Sequence, residues 1–203
     1  MAKYVVGGVA IILAVVGGYY LIKPLPNPEQ ATTAALVQMA TSTYATTTWS
    51  ATFPQNYTVD ESYAYEGVPK KPIHGVKFTI PGETATGTNL STDTGISVES
   101  LPRAKRCTGD IYLLTDVRAH TISDGGVEYS LATTTGAAAG NMYEEQVWAL
   151  TDSSPCTAVR YFIHSGNIGN YPAAGEPGSV REFDRATLLA DFDKIRQSLI
   201  LTK

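Results

Sequence analysis

Cys107 and Cys156 are the two cysteines of this 203-residue chain. A thiol pair can ligate a metal, carry redox chemistry or close a disulfide. Metal ligation needs further Cys or His at short spacing, and His74, His120 and His164 are too scattered to form such a signature. Each lies in or beside an alternating apolar run, where a histidine with satisfied hydrogen bonds is the ordinary case. An isolated pair that follows an apolar N-terminal segment suits an oxidising compartment, so a Cys107–Cys156 disulfide is expected. Closing a loop of about 50 residues is worth roughly 4 kcal/mol in the chain-entropy model. The alternative is two reduced, buried thiols in a cytoplasmic domain.

Catalytic groupings are sparse. Glu144 and Glu145 are neighbours on a strand-like run, so their side chains point to opposite faces and cannot serve one substrate as an acid and base pair. They read as solvated or edge residues. His164-Ser165 lacks both attack geometry and an evident orienting acid. Phosphate-cradling glycine loops, zinc ribbons, His-Glu-x-x-His and Gly-x-Ser-x-Gly are all missing from the sequence. No cofactor and no metal are expected, and no residue is nominated as catalytic. Two matches to the N-glycosylation pattern, at Asn56 and Asn89, are treated as chance.

The segment Ser165 to Ser179 is dense in Gly, Asn and Pro and reads as a long loop, a place where function concentrates. Asn167, Asn170 and Tyr171 are its candidate partner-contact residues. Gly82 to Thr94, also long and polar, is a second candidate surface.

Charge narrows the partners. Beyond residue 50 there are 13 Lys and Arg against 18 Asp and Glu, and the densest basic run is Arg103, Lys105 and Arg106. Nucleic acid binding needs a more concentrated positive field, so it is not expected. The basic run reads as a solvated loop, with an anionic surface such as lipid headgroups or a cell-wall polymer as the other reading.

These groups need an anchor and a scaffold. Tyr4 to Ile22 carries no charge. At about 1.5 Å per residue it nearly spans the ~30 Å hydrocarbon core, as an N-terminal transmembrane helix. Tyr4, Tyr19 and Tyr20 fall at interfacial levels, with Lys3 and Lys23 beyond them. A cleaved signal peptide, cut after Gly18, competes with retention. Gly7, Ala10, Ala14 and Gly17 would share one helical face and permit a homodimer through close packing in the membrane. Residues 1 to 23 are thus read as the anchor, 24 to 50 as a Pro-rich then Ala/Thr-rich tether, and 51 to 203 as an extracytoplasmic domain.

Within that domain, Val76, Phe78 and Ile80, then Ile96 and Val98, alternate as strands do. Ser-Asp-Gly-Gly joins two strands in a hairpin. Cys156 to His164 has apolar groups on both faces, which suits a central strand. Leu188, Leu189, Phe192, Ile195 and Leu199 trace one helical stripe, with Asp184 as N-cap and Phe183 as staple. The expected fold class is α+β: an antiparallel β-sheet covered by a C-terminal α-helix and a further helix or loop, preceded by one transmembrane helix.

The run Cys156 to Tyr171, with Glu-Phe-Asp at 182 to 184, Asp-Phe-Asp-Lys-Ile at 191 to 195 and Gly-Thr-Asn-Leu-Ser at 87 to 91, resembles uncharacterised membrane-anchored bacterial envelope proteins. The order of strands and terminal helix also looks like PsbP-type α+β domains, a non-catalytic assembly fold. The resemblance implies a bacterial source and a compartment. The expectation is a single-pass protein of the bacterial cytoplasmic membrane, bound to the bilayer by its N-terminal helix. Its extracytoplasmic domain would act as a binding or assembly module toward an envelope protein partner. The alternatives are an envelope hydrolase without a recognisable motif and an inhibitor of an extracellular hydrolase.

Overall fold

The computed structural model describes residues 40–114 and 116–202. Eleven strands supply most of the regular secondary structure of the described residues, in a unit that begins at Ala40. Strands β1 (Thr41–Ala45), β2 (Trp49–Pro54) and β11 (Ile200–Leu201) form a three-stranded sheet in the order β1-β2-β11. The larger sheet runs β3 (Thr58–Asp60), β5 (Ile73–Thr79), β6 (Gly95–Leu101), β10 (Cys156–Gly166), β9 (Asn141–Leu150), β8 (Val127–Ala138), β7 (His120–Asp124). The short β4 (Ala64–Tyr65) pairs beside β3 on β5, and every neighbouring pair of named strands is antiparallel. Among the described residues the α-helices are α1 (Gly82–Ala85) and α2 (Arg185–Gln197).

This corrects the expected fold class. The terminal helix forms where the stripe and cap placed it: the Asp184 carboxylate accepts from the Thr187 amide at 3.0 Å, and Leu188, Phe192 and Ile195 are buried. It does not cover the sheet as an α+β layer, because the three-stranded sheet shares that face. Trp49, Ala51 and Phe53 point inward from β2, and Phe53 meets Phe78 at a ring-centroid distance of 4.7 Å. The Ser198 hydroxyl at the end of α2 bridges the amide and carbonyl of Thr52, at 2.8 and 3.1 Å, so helix and small sheet lock together. The described residues are therefore predominantly antiparallel β in their regular structure.

The tether boundary moves for the same reason. Residues 41 to 54 pair strand to strand, and Trp49 is buried in the main core. Among the described residues no helix is long and apolar enough to cross a membrane. The apolar run Tyr4 to Ile22, with Gly7, Ala10, Ala14 and Gly17, lies outside the described residues.

The turn between β7 and β8 has Gly125 and Gly126 at φ of 60° and 82°, the left-handed pair that a two-residue hairpin loop requires. Strand β10 is central, between β6 and β9. One of its faces carries Val159, Tyr161 and Ile163 into the large core under α2 and the small sheet. Its other face carries Arg160, which has no exposed surface.

A buried guanidinium must find acceptors for its donors and carboxylates for its charge. Arg160 Nε and Nη2 donate to the two oxygens of Glu99 at 2.7 and 2.9 Å, Nη2 also reaches the Tyr112 carbonyl at 2.8 Å, and Nη1 donates to Glu145. The register supplies this geometry. Glu99 faces Ala158 on β10 and Glu145 faces Phe162, so the carboxylates stand diagonally on either side of Arg160. The Tyr65 ring lies 3.5 Å from the guanidinium carbon, and its hydroxyl donates to Glu145 at 3.0 Å. Burial works against the arginine's charge, but Glu99 and then Glu145 outweigh it, and the group is held more basic than usual.

The Cys107–Cys156 disulfide is present, joining residues 49 apart with Cα atoms 5.1 Å apart. It pins the connection between β6 and β7 across this same face. Within that connection, the short 3-10 turn Gly109–Tyr112 lowers the Tyr112 side chain into a second, smaller core with Ala132, Val147 and Ala158. The Tyr112 hydroxyl donates to the Cys156 carbonyl at 2.8 Å. Arg160→Met should lower unfolding free energy by about 3–5 kcal/mol in urea titrations, because Glu99 is left buried and unpaired. Adding Glu99→Leu should recover part of that loss; a double variant weaker than the single would contradict the assignment.

Candidate functional site

The loop after β10 is held by the hairpin turn between β8 and β9. The amide of Asn167 and the side-chain amide of Asn170 both donate to the Gly140 carbonyl, at 2.9 and 3.2 Å. Asn167 Oδ1 accepts from the Gly169 amide at 3.0 Å and starts a 3-10 turn over Ile168–Asn170. Tyr171 folds back so that its hydroxyl sits 2.3 Å from where a Cβ on Gly166 would stand, which is why that strand ends on glycine. Asn167 and Asn170 are thus exposed but engaged in shaping the loop, and Tyr171 is half-buried beneath it.

Both long loops meet through Asn89, which is 5% exposed. Its side chain donates to the Gly166 carbonyl at 2.8 Å and accepts from the Phe183 amide at 3.0 Å. Its backbone amide donates to the Arg181 carbonyl at 3.0 Å and its carbonyl accepts from the Gly166 amide at 2.7 Å. Gly82 to Thr94 therefore braces the second loop from beneath through Asn89. The folded protein offers no access to Asn89 for glycosylation.

Between this loop, the β8–β9 end of the sheet and the start of α2 lies a cleft of about 400 Å³. Met142 and Ile168 stand at its edge, 43% and 39% exposed, with Ile163 and Phe183 deeper. Arg185, the first residue of α2, crosses the cleft to Glu144 with two hydrogen bonds, one of them Nε to Oε2 at 2.8 Å. Gln146 donates to the same carboxylate at 2.9 Å. Arg185, against the opposing effect of burial, holds the Glu144 carboxyl below its ordinary range, with Gln146 adding to this. Glu144 in turn raises the Arg185 guanidinium.

Glu144 and Glu145 do point to opposite faces, but neither is a solvated edge residue: one grips Arg185 and the other Arg160. The same alternation separates His164 from Ser165. Ser165 lines the cleft, while His164 stacks on Tyr143 at 4.5 Å and places Nδ1 2.8 Å from Asp93. Asp93 is thus an orienting acid that sequence spacing did not reveal. His164 Nε2, however, is buried without a partner. His74 and His120 stand exposed on other strands. The cleft thus combines apolar side chains with an ion pair and the Glu182 carboxylate.

No family model matches this chain, and no curated protein matches it. A crystal structure from Bacteroides thetaiotaomicron VPI-5482, at 1.50 Å resolution, is similar at a TM-score of 0.41 and 12% identity, covering 76% of this chain and 45% of that one. This chain spans under half the length of that protein.

Glu144→Gln should lose up to about 1 kcal/mol of stability near neutral pH, a partly exposed pair being screened by water. Since the folded carboxyl is depressed, its contribution is complete above the ordinary value of 4.5 and disappears as pH falls through the lowered one. Parent and variant should therefore converge in denaturant titrations once the pH is well below that lowered value.

Proposed function

We propose that this chain is a binding module of the bacterial envelope. Its apolar N-terminal segment holds it at the cytoplasmic membrane, and its β domain stands on the outer side. There it takes an apolar side chain of a protein partner into the cleft beside the loop after β10. The observation that carries this reading is the pairing of exposed Met142 and Ile168 at the mouth of a cleft whose central charges, Glu144 and Arg185, already neutralise each other. With that pair neutralised, the cleft offers apolar contact, at about 25 cal/mol per Å² buried, beside the one lining carboxylate that forms no ion pair among the described residues, Glu182. The Cys107–Cys156 disulfide, the uncharged Tyr4 to Ile22 segment and the resemblance of most of residues 51 to 203 to envelope proteins support the compartment.

A photo-crosslinking residue at position 168, in cells making the full chain, should yield one protein adduct identifiable by mass spectrometry. Met142→Asp should abolish it, and the same probe at Thr43, on the exposed edge of β1, should not form it. Adducts that are identical at both positions, or indifferent to Met142→Asp, would remove the cleft from the account. Recovery of the chain in the soluble cytosol with two titratable thiols would remove the compartment.

A further inference from the structure

A second concavity lies on the disulfide side of the domain, with a volume of about 980 Å³, near the upper end of the ~300–1,000 Å³ range for ligand pockets. Its rim carries four cations: Lys71, Arg103, Lys105 and Arg106. All four are exposed, and among the described residues none has a carboxylate within 4.0 Å. Its floor is apolar, built from Leu101, Ala104 and Ile111.

This combination runs against the rest of the molecule. The chain carries a net charge of -4, yet here four like charges gather with no carboxylate within 4.0 Å and repel one another. Three of them sit on a short connection that is held at both ends. Leu101 closes β6 and accepts from the Ala104 amide at 3.1 Å, and Cys107, next to Arg106, is bonded to Cys156 at the start of β10. The rim is therefore presented by a braced loop, so little ordering remains to be done when a ligand arrives.

The charges call for an anion, and the floor calls for something that is not wholly polar. A soluble polyanion would satisfy the cations and leave the floor wet. We infer that this groove binds an anionic glycerophospholipid, its phosphate on Arg103, Arg106 and the two lysines and the start of an acyl chain on Leu101, Ala104 and Ile111. The inference rests on the envelope reading only for where the lipid comes from.

The test is amine acylation of the full chain in lipid nanodiscs, read by mass spectrometry at Lys71 and Lys105, with Lys194 on α2 as internal reference. Discs of phosphatidylcholine, the same discs containing phosphatidylglycerol, and the first discs with added glycerol phosphate form the three arms. Labelling of Lys71 and Lys105 should slow about fivefold in the phosphatidylglycerol discs alone, one cation near an anionic surface being worth about that factor. Arg103→Gln/Arg106→Gln, which leaves both reporter lysines in place, should require about thirtyfold more phosphatidylglycerol for half protection. Equal rates in the two kinds of disc, equal protection by glycerol phosphate, or a double variant protected like the parent would each overturn the lipid site. A chain that refuses to enter discs contradicts the membrane tether instead. The same labelling with short-chain phosphatidylglycerol in water then tests the groove by itself.

Discussion

Arg160 has to be neutralised where no water reaches it, and most of the domain is arranged around that demand. An unpaired charge in such a place costs several kcal/mol, a large share of the about 5–15 kcal/mol that separates a folded domain from its unfolded chain. The acceptors come from three directions: Glu99 on β6, Glu145 on β9, and the Tyr112 carbonyl on the disulfide-pinned connection. Pairing of β10 with both neighbours is thereby tied to charge as well as to apolar pattern. A two-residue slip of β10 would keep every side chain on its own face, yet it would set Arg160 directly opposite one carboxylate and carry it away from the other.

The opposite face solves a related problem with α2. Arg196, 2% exposed, donates to the Tyr161 hydroxyl at 2.8 Å and to Asp193 at 2.9 Å, pairs with Asp124, and lies with its guanidinium carbon 4.0 Å from the Trp148 ring. The helix is thus fixed by a polar clamp in addition to its apolar stripe. Because α2 is held at that end, its first residue, Arg185, arrives at Glu144 and shapes the cleft. The packing of the core and the form of the candidate site are one constraint seen at two ends of a single helix.

The cleft and the basic groove belong to opposite ends of β10. The groove lies near its start at Cys156 and the cleft near its end at Gly166, about 33 Å of strand apart at ~3.3 Å per residue. A domain lying with its basic end on an anionic bilayer would direct the cleft away from the membrane. The two proposals are therefore compatible in space and separable by experiment.

Periodicity and local chemistry alone determined the hairpin at Gly125-Gly126, the central place of β10, and helix α2 with its Asp184 cap. The isolation of two cysteines was enough to expect their bond. Each of these is set by neighbours in sequence or by composition. Strand β1 and the start of β2 are not legible in the sequence because Thr and Ala dilute the alternation, so Tyr44 and Trp49 fall within a stretch that reads as a spacer until a second sheet gives them a core to fill. Asn89 and Arg160 looked like ordinary polar residues; their weight comes from partners 77 and 61 residues away. The tertiary structure decided those roles, because the cost of burying a polar group depends on which acceptors the folded chain brings within about 3 Å of it, and no local pattern carries that distance.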